Sequence, residues 1–265
     1  MRYGAMNFPI RPVLEEIDAI GALGFDYLEL AMDPPEAHWQ RLRQQLGAIR
    51  KALDHHALGL VCHLPTFVHT ADLTPSIRAA SRDEVRRSLC LAAELGARKV
   101  VLHPSFVGGL GRSVPDVVAG YALESLDIAV RQADACGCRI HLENLFDRLT
   151  PFSAIDDFGA AFERWPQLKM TLDVGHAFID GKGMERILAF IHTFGERLGH
   201  IHISDNFGRR DDHLAVGGGA IDFPLLMGAL QRIGYDGTMT LEIFTDDRLD
   251  LIRSRATLQA LAAAQ

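Results

Sequence analysis

The stretch Leu95-Gly96-Ala97-Arg98-Lys99-Val100-Val101-Leu102-His103 ends an amphipathic segment on a glycine, then runs into apolar residues that stop at a histidine. Glycine after a helix accepts the left-handed backbone that turns the chain away. A run such as Val100-Val101-Leu102 suits a parallel strand covered on both faces. The same unit recurs. Leu23-Gly24 precedes 27–30, Leu58-Gly59 precedes 60–63, and Cys136-Gly137 precedes 139–143. Leu198-Gly199 precedes 200–204 and Ile233-Gly234 precedes 238–242. Runs at 2–6 and 169–173 bring the strands to eight. Helical patterns at 12–23, 36–55, 77–95, 115–135, 155–164, 184–197, 222–232 and 248–263 separate them. Eight strand–helix units of roughly 30 residues each, with no linker, predict an α/β chain with one (β/α)8 TIM barrel as a single domain over 1–265. A doubly wound open sheet would carry a glycine-rich phosphate loop after its first strand, and Met6-Asn7-Phe8-Pro9 is not one.

Composition bounds the partners. The chain has 265 residues, 48 % hydrophobic and 23 % charged, with a net charge of −7 and no Lys/Arg block. A broad basic face for nucleic acid is therefore not expected. No apolar run approaches ~18 residues, so a membrane span is not expected either. Met1-Arg2-Tyr3-Gly4 lacks the layout of a signal peptide, which makes the cytoplasm the default expectation. Cys62, Cys90, Cys136 and Cys138 do not form a disulfide framework and read as reduced, mostly buried thiols. Oligomerisation is compatible with all of this.

The strand ends carry the chemistry. The third strand ends at His63, the fourth at His103, the fifth at Glu143 and the sixth at Asp173; the seventh has His202 near its end, and the eighth ends at Glu242. A barrel builds its active site at these carboxyl ends, so the six residues should converge. Alternation supports this: Val61, Val101, Thr171 and Thr240 face inward with them, while Leu102, Leu142, Leu172 and Leu241 face the helices. His176 follows Asp173 closely, and Asp211 and His213 precede Gly217-Gly218-Gly219, where an extended segment would present both to one side. Imidazoles mixed with carboxylates suit Zn²⁺, Mn²⁺, Fe²⁺ or Co²⁺ better than Ca²⁺. His141 and His200, two residues below Glu143 and His202, read as interior supports, and His38, His55, His56, His69 and His192 lie off the strand ends.

The segments CHLP around His63, LHPS around His103, LEN around Glu143, LDVGH from Leu172, HISDN from His202, RDDHLAVGGGAID from Arg210 and LEIF around Glu242 resemble the xylose-isomerase-like TIM barrels, which include the AP endonuclease (endonuclease IV) family. The resemblance spans nearly the whole chain. In the sugar isomerase and epimerase branch it implies one divalent metal on Glu143, Asp173, His202 and Glu242. The two glutamates would move the proton through a metal-stabilised enediolate, acting on a keto-sugar or sugar phosphate. It also implies substrate contacts from His176, His63, His103 and Arg209 or Arg210. In the endonuclease branch it implies three zinc ions on those four residues plus His63, His103, His176, Asp211 and His213, and cleavage at abasic sites in DNA. Three departures favour the isomerase branch: no arginine in 31–39, Asn144-Leu145-Phe146 after the glutamate, and a short loop between His202 and Asp211. One ion is therefore expected and three are the upper count. Dehydratases of polyols and dehydro-acids form a third class. Specificity should come from loops 7–12, 65–74, 106–114 and 145–153, with Phe8, Phe67, Phe106 and Phe146 as candidate walls.

Overall fold

In the computed structural model, which describes residues 1–146, 150 and 152–264, eight parallel strands pair in chain order and the last closes on the first. They are β1 (Arg2–Met6), β2 (Tyr27–Ala31), β3 (Gly59–His63), β4 (Lys99–Leu102), β5 (Arg139–Glu143), β6 (Lys169–Asp173), β7 (Leu198–Ile203) and β8 (Thr238–Leu241). The helices between them are α1 (Val13–Ala22), α2 (Trp39–Gln44), α3 (Leu46–His55), α4 (Pro75–Leu95) and α5 (Pro115–Cys136). Then follow α6 (Ile155–Arg164), α7 (Val174–Phe178), α8 (Gly183–Phe194), α9 (Phe223–Arg232) and α10 (Leu249–Ala263). The expected (β/α)8 barrel is the observed fold.

Three local features depart from or add to the expectation. The pattern over 36–55 is two helices, because Gln45 leaves helical geometry at φ −106°, ψ 8° and lets α3 pack on α1 while α2 packs on α4. The one-turn helix α7 follows Asp173 directly, whose carboxylate caps it by accepting the His176 N–H at 2.6 Å. Third, of the six glycines expected to cap helices, Gly24, Gly96, Gly137 and Gly234 take the left-handed backbone (φ +69°, +98°, +71° and +67°). Gly59 and Gly199 lie inside β3 and β7 instead. A Cβ on Gly199 would stand 2.5 Å from the His141 ring, and one on Gly4 would stand 2.2 Å from the Tyr27 ring. Glycine at these positions makes room for rings beneath the site.

The barrel has two interiors of different character. Outward residues such as Leu102, Leu142, Leu172 and Leu241 join the large helix-facing core, whereas Tyr27, Val61 and Val101 form a small separate cluster inside. Burying a Leu stabilises by ~1.5–3 kcal/mol, so the outer layer supplies most of the stability. Among the inward residues Glu29, His141, Glu143, Thr171, Asp173, His200, His202 and Thr240 are all buried. Polar groups at that depth need partners, and their pairing defines the site. Cys62 and Cys138 are buried, but Cys90 and Cys136 are only half-buried, with their sulfurs 3.9 Å apart across α4 and α5; all four are free. Among the described residues no helix is long and apolar enough to cross a membrane.

Candidate active site

β3, β5, β6 and β7 deliver His63, Glu143, Asp173 and His202 to one end of the barrel, Asp173 lying opposite His202 in the ladder. His103 and Glu242 fall one residue beyond β4 and β8, yet the Glu242 N–H still bonds the Ile203 carbonyl at 3.0 Å and keeps the strand direction. Glu143 is the hub. Its Oε2 lies 3.2 Å from His63 Nε2 and 3.1 Å from His103 Nε2, and its Oε1 lies 3.1 Å from His176 Nδ1 and 3.4 Å from His202 Nδ1. Burial would push its carboxyl up, but the charges of His103 and His202 hold it well below the usual range. Asp173 goes the other way. Burial raises it, and the charges of Glu143 and Glu242 add to that against the pull of His176 and His202.

The loop after β7 adds Asp211 and His213. Buried Asp205 anchors it, accepting N–H bonds from Asn206 and Ile221 on one oxygen and from Gly217 and Gly219 on the other. Gly219 packs so closely that a Cβ would stand 2.5 Å from both Asn206 O and Asp205 Oδ1, which explains the glycine at the end of the run. The loop sets Asp211 Oδ2 3.0 Å from both His176 Nε2 and His213 Nε2. His213 is not extended: it takes φ +47°, uncommon for a side-chain-bearing residue, with its Nδ1–H donated to the Glu242 carbonyl at 3.1 Å. Burial is outweighed by Asp211 and Glu242, which hold the His213 imidazolium up to about 9.

One site residue was not legible as such. Glu29, the lone acid in Tyr27-Leu28-Glu29-Leu30-Ala31, is fully buried. It accepts His202 Nε2–H at 3.0 Å and His200 Nε2–H at 2.8 Å, and Thr240, itself bonded to Tyr27 at 2.9 Å, donates to it as well. His200 is held down to about 4, chiefly by burial, so it stays neutral while Thr238 donates to its other nitrogen at 2.6 Å. An acid inside an apolar strand, in register with inward Tyr27 and Ala31, was the available signal. The network turns His202 so that Nδ1 faces the carboxylates.

That orientation fits a divalent cation. His202 Nδ1 lies 3.0 Å from Glu242 Oε2, 3.4 Å from Glu143 Oε1 and 3.6 Å from Asp173 Oδ2. Among the described residues His202 Nδ1, Glu143 Oε1 and Glu242 Oε2 are all buried without a hydrogen bond. Buried atoms left so are costly, and one cation would satisfy all three. Asp173, His202 and Glu242 lie within metal-binding reach of one another, as do His103, Glu143 and His176.

A cavity of about 480 Å³ opens beside the mouth, with Glu242 and His213 at its inner end. Phe8 and Phe67 line it with Phe244, which stacks on Phe8 at 5.2 Å; His38, although it lies off the strand ends, also lines it next to Glu84. Phe106 stacks on Phe67 at 5.9 Å, and the Phe146 ring stands 5.4 Å from His176. Arg209 and Arg210 are exposed, and Arg210 turns to Asp212 at 3.1 Å. The specificity loop 145–153 lies partly outside the described residues, at 147–149 and 151.

A parallel barrel with histidines and carboxylates gathered at its carboxyl end places them where barrel enzymes of this fold build their active sites. The chain belongs to the xylose isomerase-like TIM barrel family, whose profile matches residues 17–264. It is 24 % identical over 231 residues to fructoselysine 3-epimerase of Escherichia coli O157:H7, covering 84 % of this chain and 82 % of that one. It is 25 % identical over 225 residues to a probable endonuclease 4 of Mycobacterium leprae, covering 80 % and 82 %. A solved D-tagatose 3-epimerase-like protein superposes with a TM-score of 0.86 at 23 % identity, covering 100 % of this chain and 98 % of that one.

Proposed function

We propose that the protein is a metal-dependent epimerase or isomerase of a keto-sugar, working by proton transfer between carboxylates. The observation that carries this reading is the pair Glu143 and Glu242. Each keeps a buried oxygen without a hydrogen bond, and each flanks His202 Nδ1, at 3.4 and 3.0 Å. Glu143, Asp173, His202 and Glu242 would hold the ion. A bound divalent cation supplies the Lewis acidity that polarises a carbonyl and the hydroxyl beside it.

The protein's own groups do the rest. Glu242 borders the cavity, and burial is outweighed by His202 and His213, which hold its carboxyl low and ionised. It is therefore placed as a base toward a C–H next to a carbonyl. Glu143, ionised beneath its imidazoles, addresses the substrate from the strand-five side. One carboxylate would take the proton from one face and pass it through the substrate oxygens to the other, which returns it from the opposite face and inverts the centre; return to the neighbouring carbon isomerises it. His176 is fixed through Nδ1 to Asn144 O at 3.0 Å, and its Nε2, 3.0 Å from Asp211, would orient a substrate oxygen by exchanging that partner. His63, His103, Arg209 and Arg210 serve substrate binding in this reading. The fructoselysine 3-epimerase relative supports the choice of chemistry. Deuterium uptake at the α-carbon of one member of a ketose panel tests it, and no uptake by any member would remove its basis.

A second reading has its own observation. Asp211 joins His176 to His213, and His63 and His103 converge on Glu143, so the five additional metal candidates adjoin the first four. Together with the endonuclease 4 relative, this supports a three-ion phosphodiesterase. Cleavage of an abasic duplex, lost in Asp211→Asn, would establish it.

A further inference from the structure

The cavity beside Glu242 is larger than proton transfer on a simple sugar demands. Its volume of about 480 Å³ lies within the range of ~300–1,000 Å³ that takes drug-sized ligands. Only its inner end, at Glu242 and His213, carries the chemistry. From there the walls are mostly apolar, and two of them stand in water: Ile10 is 58 % exposed and Phe67 77 % exposed. Large apolar side chains left exposed around a concavity mark surface that a bound molecule covers.

Charge narrows the choice. Among the described residues the cavity's ionisable lining consists of the carboxylates Asp33, Glu84 and Glu242 and the imidazoles His38 and His213, with no Lys or Arg. Asp33 is engaged by Thr66 through its N–H and hydroxyl, both at 2.9 Å, and His38 pairs with Glu84. The neighbouring arginines are held elsewhere: Arg11 packs 5.6 Å above the Phe8 ring and reaches toward Asp246, and Arg210 faces Asp212. Away from the inner end, where the His213 imidazolium is already paired with Asp211 at 3.0 Å, a phosphate in this cavity would exchange its water for carboxylates, with no Lys or Arg to compensate. An aryl or alkyl group would find the edges of the stacked Phe8 and Phe244 rings and the exposed rim ring of Phe67.

We infer that the site takes an unphosphorylated sugar carrying an extended apolar substituent, with the sugar at Glu242 and the substituent along Phe8, Phe244 and Phe67. The inference rests on the sugar reading of the same site and specifies its substrate class. The test is calorimetric titration of the Mn²⁺-saturated protein with several ketohexoses. Each is offered as the free sugar, as its terminal phosphate ester and as its N-aryl aminodeoxy derivative. The aryl derivative of at least one should bind on the order of tenfold or more tighter than the free sugar, as burial of a ring face implies, with the phosphate ester weakest. Phe244→Ala should weaken the aryl derivative more than the free sugar, and Glu84→Lys should narrow the gap to the phosphate ester. A phosphate ester that binds as well as the free sugar, an aryl group that brings no gain, or no binding by any compound overturns the inference. Deuterium uptake in the same samples separates it from the proposed chemistry. Uptake with the reversed affinity order defeats this inference alone, while the expected order without uptake defeats only the proton-transfer reading.

Discussion

Glu29 Oε1 lies 3.0 Å from Nε2 of His202, a contact between the middle of β2 and the end of β7 across the barrel interior. The carboxylate takes the ring's outer N–H and leaves Nδ1 toward Glu143 and Glu242. Groups that orient a metal-binding histidine in this way typically contribute ~10–100-fold to metal affinity. Glu29→Gln is therefore expected to lower affinity by about that factor in a chelator competition, with the far-UV circular dichroism unchanged. Glu29→Ala should also destabilise the fold, because it leaves a buried charged partner unpaired at a cost of ~3–5 kcal/mol. Unchanged metal affinity in Glu29→Gln would show that the contact only fills space.

Metal content discriminates between the two functional readings. The isomerase reading expects one equivalent of Zn²⁺, Mn²⁺, Fe²⁺ or Co²⁺, and the phosphodiesterase reading expects three. Saturation at ~100 times the dissociation constant should stabilise the fold by about 2.7 kcal/mol, visible as a raised Tm. Elemental analysis below a tenth of an equivalent after incubation with these metals would sink both.

The pH dependence has a definite sign. Without metal, burial lowers the His63 imidazolium, but the hydrogen bond and charge of Glu143 overcome this and hold it up to about 9; His213 also stands at about 9. Raised values of this kind stabilise the metal-free protein fully below the unfolded value of ~6.5, and that stabilisation is lost as pH rises through 9. In the three-ion reading His63 and His213 must be neutral to bind metal, so affinity there should climb over the same interval as protons are released. The Tm difference between metal-loaded and metal-free protein should widen from pH 6.5 to 9. A difference independent of pH would show that these imidazoles do not gate binding.

Glu143→Gln and Glu242→Gln should each slow deuterium exchange by ~10²–10⁴-fold, the usual worth of a positioned acid or base. Both residues are also expected to hold metal, so the ion must be quantified in each variant. A loss that tracks metal content alone would assign them to binding rather than to proton transfer.

Gly199→Ala tests the packing beneath the site. Its Cβ would stand 2.5 Å from the His141 ring, in a buried strand, so a cost of ~1–3 kcal/mol is expected from overpacking. At Gly120 within α5 a Cβ would meet nothing within 4 Å, and Gly120→Ala should be neutral or stabilise by up to about 1 kcal/mol. Equal melting temperatures for the two variants would contradict the packing argument.

The barrel and most of the polar residues gathered at its carboxyl end are legible in the chain alone. Apolar runs following glycine-ended helices specify covered parallel strands, and eight of them close only one way, so His63, Glu143, Asp173 and His202 were bound to share an end. Alternation along each strand likewise assigned Leu102 and Leu142 to the helix side, because the side-chain period of two is a local property. What depends on residues distant in the chain emerged only on folding. Glu29 meets His200 and His202 across 171 and 173 positions, and only closure of the barrel creates that contact. Gly199 resembled a helix cap in sequence, but the ring of His141 on β5 requires the space its missing Cβ leaves. His213 reached Asp211 through a left-handed backbone in the loop that Asp205 anchors rather than through simple alternation. Local patterns report backbone preference, while partners for buried polar groups are chosen by packing, where an unpaired atom costs more than local propensity can offset.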